Sequence, residues 1–165
     1  MRLAAKVAAA VLLLDQVSKY AVVHGLGLDR RLVVEVLPPW INLRMAWNQG
    51  INFGLFSGES DLARWVLIGV ALAVSAWIWI WVARSPHRGI VQVSAGLLVG
   101  GAIGNVIDRL MYGAVADFLN MSTPWFDNPY SFNVADITIF LGAAGLVLFT
   151  GQEGEDKGKG GSARH

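Results

Sequence analysis

Trp65 to Ala83 reads WVLIGVALAVSAWIWIWVA, a run of nineteen residues with no charge. As a helix it would rise about 28 Å, close to the roughly 30 Å of hydrocarbon in a bilayer. A helix apolar all round is either buried in a large core or sits in lipid. A chain of 165 residues has no core large enough to enclose it. The stretch therefore predicts a membrane span.

Three further stretches have suitable length. Residues 90–110 are apolar and glycine-rich until Asn105, Asp108 and Arg109, and residues 132–150 are interrupted only by Asn133 and Asp136. Residues 3–23 are the weakest by hydropathy, because they contain Lys6, Asp15 and Lys19. An uncleaved signal-anchor helix fits them better than a cleaved signal, since Asp15 ends the apolar run and no small-x-small pattern follows before His24. The expected fold is an all-α membrane protein with four spans, at about 3–23, 65–83, 90–110 and 132–150. Residues 1–150 form one domain, and the Gly- and charge-rich tail 151–165 is expected to be disordered.

Composition agrees. Hydrophobic residues make up 55% of the chain, with 19 glycines besides, and charged residues only 15%, against about 25% charged in soluble domains. No cysteine is present and net charge is +1, so a disulfide scaffold and a nucleic-acid footprint are both excluded. Arg2, Lys6, Arg84, Arg88, Lys157, Lys159 and Arg164 fall on one side of a four-span chain. The positive-inside rule puts that side, with both termini, in the cytoplasm.

The outer connections are then residues 24–64 and 111–131. In the first, Ile41, Leu43, Met45 and Trp47 alternate with Asn42, Arg44, Ala46 and Asn48, the period of a half-buried strand. Asn48-Gln49-Gly50 is a turn signal. Residues 57–64 read as a polar entry to the second span, with Ser60 or Asp61 as its cap.

An ionisable residue inside a span costs at least about 2.5 kcal/mol, so each is a functional candidate. Here they gather toward the outer face: Lys19, Asp108, Arg109 and Asp136, with Asp117 just after the third span. Two partly desolvated carboxylates close together share a proton, so one can act as base on water while the other supports the carbonyl, as in aspartic proteases. Asp117 and Asp136 lie on either side of one hairpin and suit that role. Spacing alone leaves equal room for a solvated loop carboxylate at Asp117 and a helix first-turn Asp at Asp136. His24, His87 and His165 have no ligand spacing, so neither metal nor other cofactor is expected.

Five motifs then meet a known family in order: Asp15-Gln16-Val17-Ser18-Lys19, Asn48-Gln49-Gly50-Ile51-Asn52-Phe53-Gly54, Gly104-Asn105-Val106-Ile107-Asp108-Arg109, Val115-Ala116-Asp117-Phe118 and Phe132-Asn133-Val134-Ala135-Asp136. Together they resemble the bacterial lipoprotein signal peptidases, the signal peptidase II family. The resemblance implies four transmembrane helices with a small extracytoplasmic β-cradle and a short surface helix. It also implies an aspartyl endopeptidase of the bacterial inner membrane that cleaves prolipoproteins before a diacylglyceryl-modified cysteine. By the same resemblance Asp117 and Asp136 are the catalytic dyad. Asn48, Gly50, Asn105, Asp108, Arg109 and Asn133 position substrate and dyad, and Asp15 and Lys19 form a structural polar pair. The implied partners are the lipidated substrate and membrane lipids, with the enzyme a monomer. Ile51-Asn52-Phe53 departs from the small residues usual after the turn, which bears on the cradle's shape and leaves the dyad untouched.

Other features carry plainer readings. Gly96, Gly100 and Gly104 form two GxxxG steps suited to close helix packing. Trp65, Trp77, Trp79 and Trp81 suit interface anchoring, and Trp125, Phe126 and Tyr130 suit anchoring or a lid, with anchoring favoured. The competing functional class is a small proton-coupled transporter or proton-conducting protein relaying through Asp15, Lys19, Asp108, Arg109 and Asp136.

Overall fold

The structure is a computed structural model that describes residues 1–50, 60–84 and 86–161, with the side chains of residue 60 and of 151–161 left aside. The Ile51-Asn52-Phe53 departure, and the polar entry to the second span as far as residue 59, lie outside the described residues.

Helix α1 (Arg2–Tyr20) runs into a π-helical turn at Ala21–Gly25, followed by a four-residue helix α2 (Leu28–Arg31). Strands β1 (Val33–Leu37) and β2 (Ile41–Asn48) come next, then α3 (Ser60–Arg84), α4 (Gly89–Tyr112), β3 (Val115–Met121) and α5 (Val134–Gly161). Arg2–Gly25, Asp61–Arg84 and Gly89–Tyr112 are each long and apolar enough to cross a membrane, and the apolar stretch of α5, Val134–Thr150, is shorter. Helical backbone continues past Thr150 to Gly161, into the segment whose composition led to an expectation of disorder.

The burial of α1 is inverted relative to a soluble helix. Asp15 and Lys19 are 0% and 5% exposed, while Leu14 and Val17 are 58% and 55% exposed. Apolar side chains facing outward around a polar interior identify lipid as the surrounding solvent.

Helix α4 is the hub. Of its most apolar stretch 67% is buried, against 22% for α1 and for α3, and it packs on α1, α5 and α3. The glycine steps make this possible: a Cβ on Gly96 or Gly100 would stand 2.6 Å from the carbonyl oxygen of Ala4 or Ala8 on α1. Gly104, one step further, faces the Asp15 carboxylate, with 2.5 Å between a Cβ built there and Oδ2. Close approach therefore serves packing at one end of the stripe and a polar contact at the other. Trp79 and Trp81 pack against the cluster of Ile78, Val82, Ala95, Leu98 and Val99, so only Trp65 and Trp77 among the four stand exposed.

The strands form one antiparallel sheet in the order β1-β2-β3. Strand β2 has the expected bounds, yet residues 41–46 are all half-buried instead of alternating, because the central strand is covered in part on both faces. Strand β3 was not legible as a strand. Its pairing sets Ala46 opposite Asp117 and Asn48 opposite Val115, with an irregularity between Leu43 and Ala46. Phe132, expected inside the fourth span, is extended instead: its backbone exchanges hydrogen bonds with Leu119 at 2.8 and 2.9 Å. Helix α5 can start only after that pairing ends, and the same pairing sets Asn133 beside β3.

Candidate active site

Five elements, α1, β2, α4, β3 and α5, bring polar side chains together at the sheet end of the bundle. Asp117 belongs to β3 and is 3% exposed, so it is a buried strand residue and the solvated-loop reading fails. Asp136 is half-buried in the first turn of α5, as the helix-start pattern suggests.

Asn133 joins them. Its Oδ1 accepts from the Asp136 backbone N–H at 2.9 Å, and its own backbone N–H donates to Asp136 Oδ2 at 3.2 Å. This is a reciprocal capping box at the start of α5, built from Asn and Asp three residues apart. Because Oδ1 faces an N–H, the amide NH2 must point the other way. It donates to Asp117 Oδ1 at 2.6 Å and to Asn105 Oδ1 at 3.3 Å.

The same logic fixes two more amides. Asn48 Oδ1 accepts from the Gly50 N–H at 2.9 Å, in a turn where Gly50 has φ +108°, so Asn48 Nδ2 is left to donate to Asp117 Oδ2 at 3.0 Å. Asn105 Oδ1 accepts from the Lys19 ammonium at 3.1 Å, so its Nδ2 donates to Asp136 Oδ1 at 3.0 Å. An ammonium and a backbone N–H only donate, and therefore each of the three asparagines presents its NH2 to the carboxylate pair. All four oxygens of Asp117 and Asp136 accept an N–H.

Behind this layer lies a charged one. Lys19 Nζ contacts Asp15 Oδ2 at 2.9 Å and Asp108 Oδ2 at 2.8 Å, besides Asn105. Gln16 Nε2 bridges the same two carboxylates at 3.1 Å each. The remaining contacts of Asp15 and Asp108 go to backbone: Asp15 Oδ1 accepts from the Ala135 N–H at 3.0 Å, and Asp108 Oδ2 from the Ala116 N–H at 3.1 Å. Arg109 donates to the Asn105 carbonyl at 3.3 Å and feels the charges of Asp117 and Asp136.

Burial, then the neighbouring Asp136 carboxylate, raise the Asp117 carboxyl from 3.8 to about 6, against the opposing hydrogen bonds from Asn48 and Asn133 and the Lys19 charge. A carboxyl poised near neutrality beside a second carboxylate can exchange a proton with a water molecule. Among the described residues no group of three or more His, Asp or Glu side chains is arranged to hold a metal ion.

All ten residues expected at the site fall into this cluster. Sequence reasoning assigned no role to Gln16, nor to the backbone N–H groups of Ala116 and Ala135. Gln16 carried a signal, since an uncharged polar residue inside a span still needs partners; the backbone contacts carried none. Trp125, Phe126 and Tyr130 are exposed.

Residues 7–151 match the family model described as signal peptidase (SPase) II. Similar curated proteins include the lipoprotein signal peptidase of Methylobacterium sp. (strain 4-46), 43% identical over 87% of this chain and 85% of that one. Those of Rhodopseudomonas palustris (40%; 82% and 84%) and Caulobacter vibrioides (41%; 86% and 82%) are similar too. Two solved structures described as a bacterial membrane enzyme share the fold. One has TM-score 0.71 at 23% identity, covering 93% of this chain and 90% of that one; the other has TM-score 0.72 at 24%, covering 88% and 90%.

Proposed function

The chain belongs to the signal peptidase II family, and from that premise we propose that Asp117 and Asp136 are the catalytic pair with which it cleaves the signal peptide from prolipoproteins. The observation that carries the assignment is the Asn133 link, which draws one carboxylate from β3 and one from α5 into a single hydrogen-bonded group.

The chemistry follows from that group. With one proton on the pair, the ionised carboxylate takes a proton from water as the water oxygen bonds to the scissile carbonyl carbon. The protonated carboxyl meanwhile hydrogen-bonds the carbonyl oxygen as it becomes an oxyanion. The tetrahedral intermediate collapses when a proton passes from the pair to the departing nitrogen and the C–N bond breaks. The signal peptide leaves with a new carboxylate, and the lipidated cysteine with a free amine. Asn48, Asn105 and Asn133 hold the pair in place throughout, with Gly50 fixing Asn48; Asp108 and Arg109 complete the polar surround, and Asp15 with Lys19 supports it.

The enzyme is a monomer of the bacterial inner membrane, with α1, α3, α4 and α5 as four spans and both termini in the cytoplasm. The basic residues at the helix ends away from the sheet support that orientation. The sheet then forms an outer cradle over the dyad, and the substrate's signal helix enters from lipid with its acyl chains left in the bilayer. The proton-conducting alternative finds no support: among the described residues the buried ionisable side chains lie at one end of the bundle, whereas a relay needs them through its depth.

The test is cleavage by the purified protein of a prolipoprotein with and without the diacylglyceryl group on its cysteine. Cleavage of the modified form before that cysteine is expected. Proton uptake into liposomes without peptidase activity would overturn the reading.

A further inference from the structure

Lys19 does not touch Asp117 or Asp136, yet the contacts on the peptide before each of them, and the Asn105 amide on Asp136, lead back to it. Asp15 grips the N–H of Ala135, the residue before Asp136. Asp108 grips the N–H of Ala116, the residue before Asp117. Both gripping carboxylates are ligated by the one ammonium, and its third contact sets the Asn105 amide that donates to Asp136. The arrangement has a rough two-fold character: one carboxylate per aspartate, each on the preceding peptide N–H, with a shared cation between them.

A structural pair would need only Asp15 and Lys19, four residues apart on one helix face and mutually neutralising. The second carboxylate changes the count. Two buried carboxylates face one ammonium, with the neutral Gln16 amide bridging them and the Ala116 and Ala135 N–H groups as their backbone donors, so Lys19 supplies the one positive charge that contacts both. Each grip therefore depends on the cation that both share. Without it, Asp15 and Asp108 would repel each other and draw apart, which loosens the peptides that carry the two aspartates. The Asn105 amide would also lose the donor that dictates which of its ends faces Asp136.

We infer that Lys19 is a positioning residue for both aspartates, clamping β3 to the start of α5 through Asp108 and Asp15 and orienting the Asn105 amide toward Asp136. This rests on the dyad assignment above. Because the clamp acts on the reacting groups and lies behind them, its loss falls on kcat and leaves KM largely alone. It also alters the ease with which the pair ionises. The charged groups around the pair are Lys19 and Asp15 from α1, and Asp108 and Arg109 from α4; from β2 the uncharged Asn48 amide faces Asp117. Loss of the cation moves the acid limb of the kcat profile to higher pH, and loss of Asp108's negative charge moves it to lower pH.

The experiment measures kcat, KM and the pH profile of the full-length enzyme in detergent on a diacylglyceryl-modified prolipoprotein. Variants are Lys19→Met, Lys19→Arg and Asp108→Asn, each checked for folding by thermal unfolding. The expectation for Lys19→Met is a kcat loss of about tenfold or more, KM within about twofold, and an acid limb raised by about one unit. Lys19→Arg, which keeps the charge and has the adjoining cavity of about 220 Å³ to extend into, restores the acid limb and most of kcat. Asp108→Asn lowers kcat with its acid limb displaced downward, and it tests the clamp independently should Lys19→Met not fold. A folded Lys19→Met enzyme with wild-type kcat and pH profile overturns the inference, as does a loss of rate with the acid limb unmoved in both Lys19→Met and Asp108→Asn. If Asp117→Asn and Asp136→Asn abolish turnover in the same assay, such a failure belongs to the clamp alone and the dyad stands.

Discussion

Asn133 donates its side-chain amide to Asp117 at 2.6 Å, joining the residue that starts α5 to the middle of β3. The same residue caps α5 and exchanges hydrogen bonds with Asp136. One short side chain thus caps a helix and bonds to both aspartates, and substitution can separate the two.

Asn133→Ala removes both. The lost cap costs about 1 kcal/mol of stability, and the lost bond to a charged acceptor about 1.5–3 kcal/mol, so kcat should fall by roughly tenfold to a hundredfold. Asn133→Asp keeps an acceptor for the cap but sets a third carboxylate against Asp117. Its thermal stability at low pH should stay nearer the wild type than that of Asn133→Ala, while its activity at neutral pH falls at least as far. Activity in Asn133→Asp equal to wild type would contradict the alignment role.

Asp117 links stability to pH with a definite sign. Its carboxyl is raised from 3.8 to about 6 in the folded protein, so the folded state holds the proton more tightly than the unfolded chain. That stabilisation is complete below about pH 3.8 and is lost as pH rises through about 6, up to about 3 kcal/mol in all. In thermal unfolding, the stability of the wild type relative to Asp117→Asn should therefore fall between pH 4 and pH 7. A difference that stays constant or grows over that range would show that Asp117 titrates normally. The kcat profile should show an inflection near pH 6, belonging to the pair and not to one residue.

Gly50→Ala tests the turn that orients Asn48. At φ +108° an L side chain is strained, and a Cβ there would stand 2.5 Å from Leu67 Cδ1. Asn48 then loses the N–H that fixes its amide. The variant should lose activity by about tenfold while its unfolding temperature shifts by a few degrees only; a Gly50→Ala enzyme of normal rate would mean that Asn48 is oriented by something else.

Gly104→Ala strikes the polar end of the glycine stripe. The added Cβ meets the Asp15 carboxylate, which Lys19, Gln16 and the Ala135 N–H already hold. Relief by rotation is blocked, so a destabilisation of about 1–3 kcal/mol is expected together with reduced kcat. Measuring both in the same preparation is decisive: a loss of stability with full activity per folded molecule would detach Asp15 from the active site.

Much of this arrangement was legible in the sequence, for physical reasons that differ by residue. The charge-free run 65–83 could be read directly, because lipid imposes length and hydropathy on a span. Asp15, Lys19 and Asp108 stood out because charge inside a span is costly. The first-turn position of Asp136 was legible as a carboxylate at a helix start, whereas the Asn133 cap was hidden because hydropathy drew the span from Phe132. Strand β3 was hidden: Val115-Ala116-Asp117-Phe118 has no alternation, since nearly all its residues are buried on both faces. Phe132 was drawn into the span by its hydropathy, although its backbone was committed to Leu119. Gln16 was missed because it sits one residue from Asp15, where helix periodicity predicts a different face, and only its length lets the amide reach back to Asp15 and Asp108. The grips on Ala116 and Ala135 are made to backbone, which no side-chain pattern announces.

The proposed role of Asp117 and Asp136 in cleavage is measured directly by single-turnover cleavage of a diacylglyceryl-modified prolipoprotein by purified Asp117→Asn and Asp136→Asn enzymes that unfold cooperatively. Each should be slower than wild type by at least about a thousandfold, since an amide can neither accept the proton from water nor return it. Near-normal cleavage by either folded variant would contradict the account.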